Sequence, residues 1–180
     1  MRGYVKQLRA LTLVAAASLA LAACQTAGLK PGSIQTSFPP AGWNTERKGN
    51  EIAYVCSPNT CRTKQAVFVS PIKVKGDAEA AVRSDIFSAG LMRELGKSLN
   101  RASKGGIQTL STQKVTTSAY SGFDFVYRIT PNFGEPQYLA ARFIIQADRG
   151  VAIGSISPSR QTAQANLRKY LASTTVRRLP

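Results

Sequence analysis

Phe123, Phe125, Tyr127 and Ile129 alternate with Asp124, Val126, Arg128 and Thr130, the period of two that marks a strand with one buried face. Leu139, Ala141, Phe143, Ile145 and Ala147 repeat that alternation against Arg142 and Gln146. Asp148-Arg149-Gly150 then offers a turn whose glycine can adopt a left-handed conformation, and Val151 to Ile156 returns as the next strand. Upstream, Ile52 to Val55 and Ala66 to Val69 read as strands, and Val67, Val69, Ile72 and Val74 mark an extended segment made irregular by Pro71.

In two stretches the period changes to three or four. From Asp77 to about Asn100, Val82, Ile86, Ala89, Met92, Leu95 and Leu99 fall on one face of a single long helix. Its acids Asp77, Glu79 and Asp85 come early and Lys97 and Arg101 come late, as the helix dipole favours, and Gly105-Gly106 ends it. A second helix follows Pro158, capped by Ser157 or Ser159, with Ala163, Leu167, Tyr170, Leu171 and Thr174 on one side. Strands, a long helix, a run of antiparallel strands and a closing helix predict an α+β domain, an antiparallel sheet flanked by helices, over residues 37–180.

The start of the chain has a different pattern. Arg2, Lys6 and Arg9 precede an uncharged run from Ala10 to Ala23 that is too short for a comfortable membrane span. A basic start, a short apolar core and small residues before a break are the parts of a secretory signal. Leu21-Ala22-Ala23-Cys24 resembles the lipobox of bacterial lipoproteins, which implies cleavage after residue 23 and lipid on Cys24. Gln25 stands where such proteins often carry Asp when they stay in the inner membrane, so the expected location is the outer membrane, facing the periplasm. Residues 24–36, rich in Gly, Pro, Ser and Thr, read as a lipidated flexible tether.

Cleavage there changes the charge and cysteine arithmetic. The signal takes three of the 24 basic residues and none of the nine acids, leaving +12 on the mature chain. With Cys24 assigned to lipid, Cys56 and Cys61 can pair as a disulfide across the turn Ser57-Pro58-Asn59-Thr60. A zinc site would want four ligands, and the chain has no histidine to add to that pair. After Asp148 come Arg149, Arg160, Arg168, Lys169, Arg177 and Arg178 without an acid. Two readings of these cations stay open. They solvate the surface, or they meet anionic lipid, lipopolysaccharide or an acidic cell-wall polymer. Nucleic acid is not expected, because export removes the chain from it and no recognised motif appears.

Phe38-Pro39-Pro40-Ala41-Gly42-Trp43 opens the folded region, a strand pair and the helix from Asp77 follow, and Ser121-Gly122-Phe123 leads into a strand. With the strand from Tyr138 and the helix after Pro158, this order resembles the PsbP/Mog1-type α/β/α sandwich. The resemblance implies a small exported or lipid-anchored protein that works as a binding or assembly module. Trp43 is expected to pack on the sheet edge.

Catalytic chemistry finds little support. The absence of histidine excludes Ser-His-Asp and Cys-His machinery. Ser70–Lys73 and Ser111–Lys114 resemble the Ser-x-x-Lys string of penicillin-recognising enzymes, but both lie in strand-like sequence, where residues three apart point to opposite faces. The expectation is a non-enzymatic, lipid-anchored periplasmic binding or assembly protein of the bacterial envelope, with no catalytic, metal or cofactor residues. It would be held to the membrane by lipid and have a possible envelope protein partner. The alternative is an accessory lipoprotein of a secretion or virulence apparatus.

Overall fold

The computed structural model describes residues 28–180. Cys24, the signal and the first part of the tether therefore lie outside the described residues. Among the described residues nine strands form two sheets: β1 (Ile34–Thr36), β2 (Asn44–Lys48), β3 (Glu51–Cys56), β4 (Gln65–Lys73), β5 (Ile107–Thr116), β6 (Ser121–Ile129), β7 (Gln137–Gln146), β8 (Arg149–Ser157) and β9 (Thr174–Val176). The helices among the described residues are α1 (Pro58–Cys61), α2 (Ala78–Arg83), α3 (Ala89–Ala102) and α4 (Arg160–Ala172). The main sheet runs β2-β3-β4-β8-β7-β6-β5, and β1 pairs with β9 beside it. Every pairing is antiparallel.

The central strands are buried on both faces, more than simple alternation suggested. On one face Val67, Val126, Ala140, Ile144, Val151 and Ile153 pack beneath Ala163, Leu167 and Tyr170 of α4. On the other, Phe123, Phe125 and Ile145 pack beneath Ala78 and Val82 of α2. Phe38 and Trp43 join the first cluster edge to face, with ring centroids 5.3 Å apart, so Trp43 sits against the core beside the edge strand β2. The aromatic opening thus closes one end of the α4 layer.

The predicted long helix is two helices. Ser84 caps α2, Asp85 takes a left-handed φ of 62°, and the Ser88 side chain caps the first turn of α3 by accepting from the Leu91 amide. A left-handed residue cannot continue an α-helix, so the apolar periodicity across the break does not describe one face. Val82 is buried, whereas Ile86, Leu95 and Leu99 are exposed. Gly96 is the buried residue of α3, and a Cβ there would stand 2.6 Å from Thr109 Oγ1 of β5. The helix therefore meets the sheet through its smallest residue.

Two boundaries also move. The β7–β8 turn is Ala147-Asp148, flanked by the Gln146–Arg149 pair, and Ala147 rather than Gly150 takes the positive φ of 52°. Gly150 lies within β8, where the Ile72 side chain covers it. The tether was expected to reach residue 36, but Ile34–Thr36 pair with Thr174–Val176 and Leu29 packs on the core. Ser33 is fully buried beneath this two-stranded clasp, and its carbonyl accepts from the Arg177 amide.

Cys56 and Cys61 are bonded. They join the end of β3 to the short helical turn α1 rather than two facing strands. Closing so short a loop restricts the unfolded chain by about 2 kcal/mol in the entropic treatment.

Candidate functional site

The six late cations do not converge. Arg149 opens β8, half-buried, in register with Lys73 on β4 and Gln146 on β7. Arg160 opens α4 just beyond the other end of β8, a distance of about 25 Å at the usual rise per strand residue. Arg168 and Lys169 lie exposed on α4, and Arg177 and Arg178 follow β9 back toward the β7–β8 turn. Gln146 Nε2 donates to the Arg177 carbonyl at 3.1 Å, which fixes that end of the chain beside the turn.

Arg178 is committed to a carboxylate. Glu79, only 4% exposed, accepts from Arg178 Nη2 at 2.5 Å and from Arg83 Nη2 at 2.8 Å through Oε1, and from the Ala147 amide at 2.8 Å through Oε2. The Glu79 amide in turn donates to the Ala147 carbonyl at 3.1 Å. One carboxylate thus ties α2, the β7–β8 turn and the C-terminal segment together. Burial alone would raise the Glu79 pKa, but the hydrogen bonds from Arg178, Ala147 and Arg83 outweigh it and hold the carboxyl below its usual range.

Because the folded value is depressed, this stabilisation is complete above the unfolded pKa of about 4.3 and is lost as pH falls through the folded value. Glu79→Gln is expected to cost about 1 to 2 kcal/mol at neutral pH, allowing for solvent screening at the two half-exposed guanidiniums. It should also flatten the acid limb of the stability curve below pH about 4. Urea midpoints measured across acid pH for both proteins check this. Parallel acid limbs would show that the carboxylate does not carry the effect.

The more open feature is a groove of about 550 Å³ between α4 and strands β5 and β6. Asp124 and Arg142 are partners in the β6–β7 register and both point toward the α4 side. Arg142 donates from Nε and Nη2 to the two Asp124 oxygens, each at 2.7 Å, and from Nη1 to the Tyr120 hydroxyl at 3.2 Å. The Asp124 hydrogen bonds hold the guanidinium charged even more firmly than an ordinary arginine. Gln164 and Arg168, one turn apart on α4, form the opposite wall, and Ser111 and Gln113 of β5 supply a hydroxyl and an amide. Leu167 is the apolar floor beneath α4.

The groove therefore offers the rigid, internally neutralised Asp124–Arg142 pair, one exposed cation in Arg168 and several neutral donors and acceptors. Such a lining suits an anionic group carried on a polar, hydroxyl-rich body. Among the described residues no three His, Cys, Asp or Glu side chains cluster as a metal site would require. Of the cations singled out from sequence, Arg168 alone lines this groove. Asp124 and Arg142 had stood in the sequence as ordinary polar alternates. Their matched positions on neighbouring strands were the signal, readable once the β6–β7 register is known.

Comparison with known proteins supports the architecture. The solution structure of cyanobacterial PsbP (CyanoP) from Synechocystis aligns with a TM-score of 0.50 and 14% identity, over 84% of this chain and 97% of that one. The crystal structure of LpqN, involved in cell envelope biogenesis of Mycobacterium tuberculosis, aligns with a TM-score of 0.50 and 14% identity, over 82% of this chain and 86% of that one. No family model matches the chain, and no curated protein matches its sequence. The fold is a PsbP-like α+β arrangement.

Proposed function

We propose that this chain is a non-enzymatic binding or assembly protein of the bacterial envelope, anchored by lipid on Cys24 to the periplasmic face of the outer membrane. In this reading the groove beside α4 takes an anionic, hydroxyl-rich envelope component such as lipopolysaccharide or a cell-wall polymer. The observation that carries it is exposed Arg168 facing the Asp124–Arg142 pair, itself held by Tyr120, across a groove lined by Ser111, Gln113 and Gln164. Arg168 supplies the exposed positive charge for an anionic group, and the preorganised Asp124–Arg142 pair with the neutral donors around it suits sugar hydroxyls.

Support for the envelope setting comes from the lipobox-like end of the signal and from the fold shared with LpqN, a protein involved in cell envelope biogenesis. Gly28 packs against Pro71 of β4. Lipid on Cys24 would hold the domain within about 15 Å of the membrane at the reach of an extended chain. Arg149 and Lys30 both line the groove of about 530 Å³ at that end. They suit an anionic headgroup surface.

Arg168→Glu is expected to weaken binding of lipopolysaccharide or purified anionic cell-wall polymer at least tenfold. Folding should be unchanged, since the Arg168 side chain is exposed. Isothermal titration against both polymers, at low and high salt, measures this. Equal affinity of the two proteins would remove the groove from the function, and absence of palmitate labelling on the wild-type product would remove the anchor.

A further inference from the structure

Helix α3 presents its large apolar residues to solvent. Leu91, Leu95 and Leu99 recur every four residues, and Ile86 and Phe87 extend the row before the cap. Leu95 is 54% exposed and Ile86 69%. The helix touches the sheet through Gly96, with Met92 packed on the cluster beneath. Arg93, Lys97 and Asn100 line the groove of about 290 Å³ along the free edge of β5. The leucines therefore stand beside the contact line, away from that groove. They add little to folding where they are, and a contiguous exposed apolar row of this kind marks an interaction surface.

At the far end of α3 the turn after the helix meets the β6–β7 loop, where the Thr130 amide donates to the Gly106 carbonyl at 2.7 Å. That loop, residues 130–136, carries Phe133 at 93% exposure, with exposed Glu135 two residues on. Arg93, Lys97, Arg101 and Lys104 accompany the row, against Glu94, which Lys97 engages at 2.8 Å, and Glu135 of the loop, while Asp85 before the row is bound by Lys114 at 2.6 Å.

We propose that α3 and the Phe133 loop form a docking surface for an anionic phospholipid bilayer, with the leucine row and Phe133 entering the interface and the cations meeting headgroup phosphates. The chemistry is that of an interfacial amphipathic helix: leucine and phenylalanine on one side, Lys and Arg on the other, and low overall hydrophobicity. Long basic stems reach past the apolar row to the headgroups. A second copy of this chain is the poorer occupant, since it would set four cations against four. No helix among the described residues is long and apolar enough to cross a membrane, so the contact is peripheral. This surface is separate from the α4 groove and does not depend on lipid at Cys24.

The test mixes the full-length chain with vesicles of phosphatidylglycerol and phosphatidylethanolamine whose acyl chains carry diazirine groups. After irradiation, mass spectrometry maps the crosslinked residues. Crosslinks should concentrate on residues 86–99 and Phe133. They should fall about tenfold on phosphatidylcholine vesicles, and about tenfold in the Leu95→Glu, Phe133→Ser double variant, whose fold circular dichroism would verify. Crosslinks confined to the extreme N-terminus would overturn the docking surface and leave the anchor standing. Crosslinks between protein copies through α3 would replace the bilayer with a dimer, and equal labelling on neutral vesicles would remove the anionic requirement. Absence of lipid crosslinks on residues 86–99 and Phe133 would overturn the proposal, whatever palmitate labelling shows of the anchor.

Discussion

Gly122→Ala is expected to destabilise the domain by more than about 3 kcal/mol, a large share of the 5–15 kcal/mol typical of a domain. Gly122 is buried in β6, opposite Ile144 of β7. A Cβ added there would stand 1.8 Å from the Phe143 carbonyl oxygen and 2.8 Å from its carbon. These are main-chain atoms, so no rotamer change can move them aside. β7 is also paired with β8 on its other edge, and Phe143 packs its ring 5.1 Å from Phe125. Any retreat of the strand would therefore disturb two ladders and the layer under α2. Gly90 provides the contrast. It lies in the first turn of α3, where the nearest atom to an added Cβ is Ser88 Oγ at an ordinary 3.5 Å. Gly90→Ala should be neutral or stabilise by up to about 1 kcal/mol through helix propensity alone. Urea denaturation of both variants measures the difference. A Gly122→Ala protein as stable as wild type would mean that β6 and β7 are not held at this separation.

The need for glycine at position 122 could not be read from sequence, because it arises from how closely a strand paired in space passes. The same limit explains which other features were legible. Alternation in β6 and β7 predicted strands, since period two is a local property. It did not predict that Val126, Ala140 and Ile144 would be buried on the opposite face, because that needs a second layer. Ala163, Leu167 and Tyr170 were read as one face of α4 and are its buried residues. The row from Val82 to Leu99 had equally good spacing, yet a left-handed Asp85 divides it and leaves the second part in solvent. Spacing reports amphipathicity and not what covers the apolar side.

The disulfide was legible from cysteine arithmetic, while Glu79 passed as one more acid at a helix start. Its partner Arg178 is 99 residues away and reaches it only because β9 pairs with β1. The binding groove was half legible. Arg168 stood out as a cation beside an apolar helical face. Arg142 and Asp124 needed the strand register before they could be seen as a pair.

Tyr170→Ala is expected to cost about 4 kcal/mol and to weaken polymer binding in the α4 groove, although Tyr170 does not line that groove. Its ring is 1% exposed and packs 5.3 Å from Phe38 and 6.0 Å from Tyr54, centroid to centroid. Burial, assisted by the neighbouring Tyr54 and only partly offset by hydrogen bonds with Thr174 and Thr36, pushes its hydroxyl pKa up to about 12. Truncation would empty the junction where α4, β3 and the Phe38 segment meet. The cavity term then adds to the lost transfer energy. Since Tyr170 is the last buried residue at the C-terminal end of α4, the helix would keep only Ala163 and Leu167 as anchors, and Arg168 would be held less firmly in its distance from Arg142. The binding loss should therefore appear as a smaller favourable enthalpy at a temperature where the variant remains folded. Tyr170→Phe separates packing from the hydroxyl. It should keep most of the stability and full binding, and it should remove the part of the alkaline stability loss between pH about 10 and 12 that comes from ionising a buried tyrosine. If Tyr170→Ala bound polymer as tightly as wild type while losing stability, α4 would hold its position through Ala163 and Leu167 alone, and the groove would not depend on the aromatic junction.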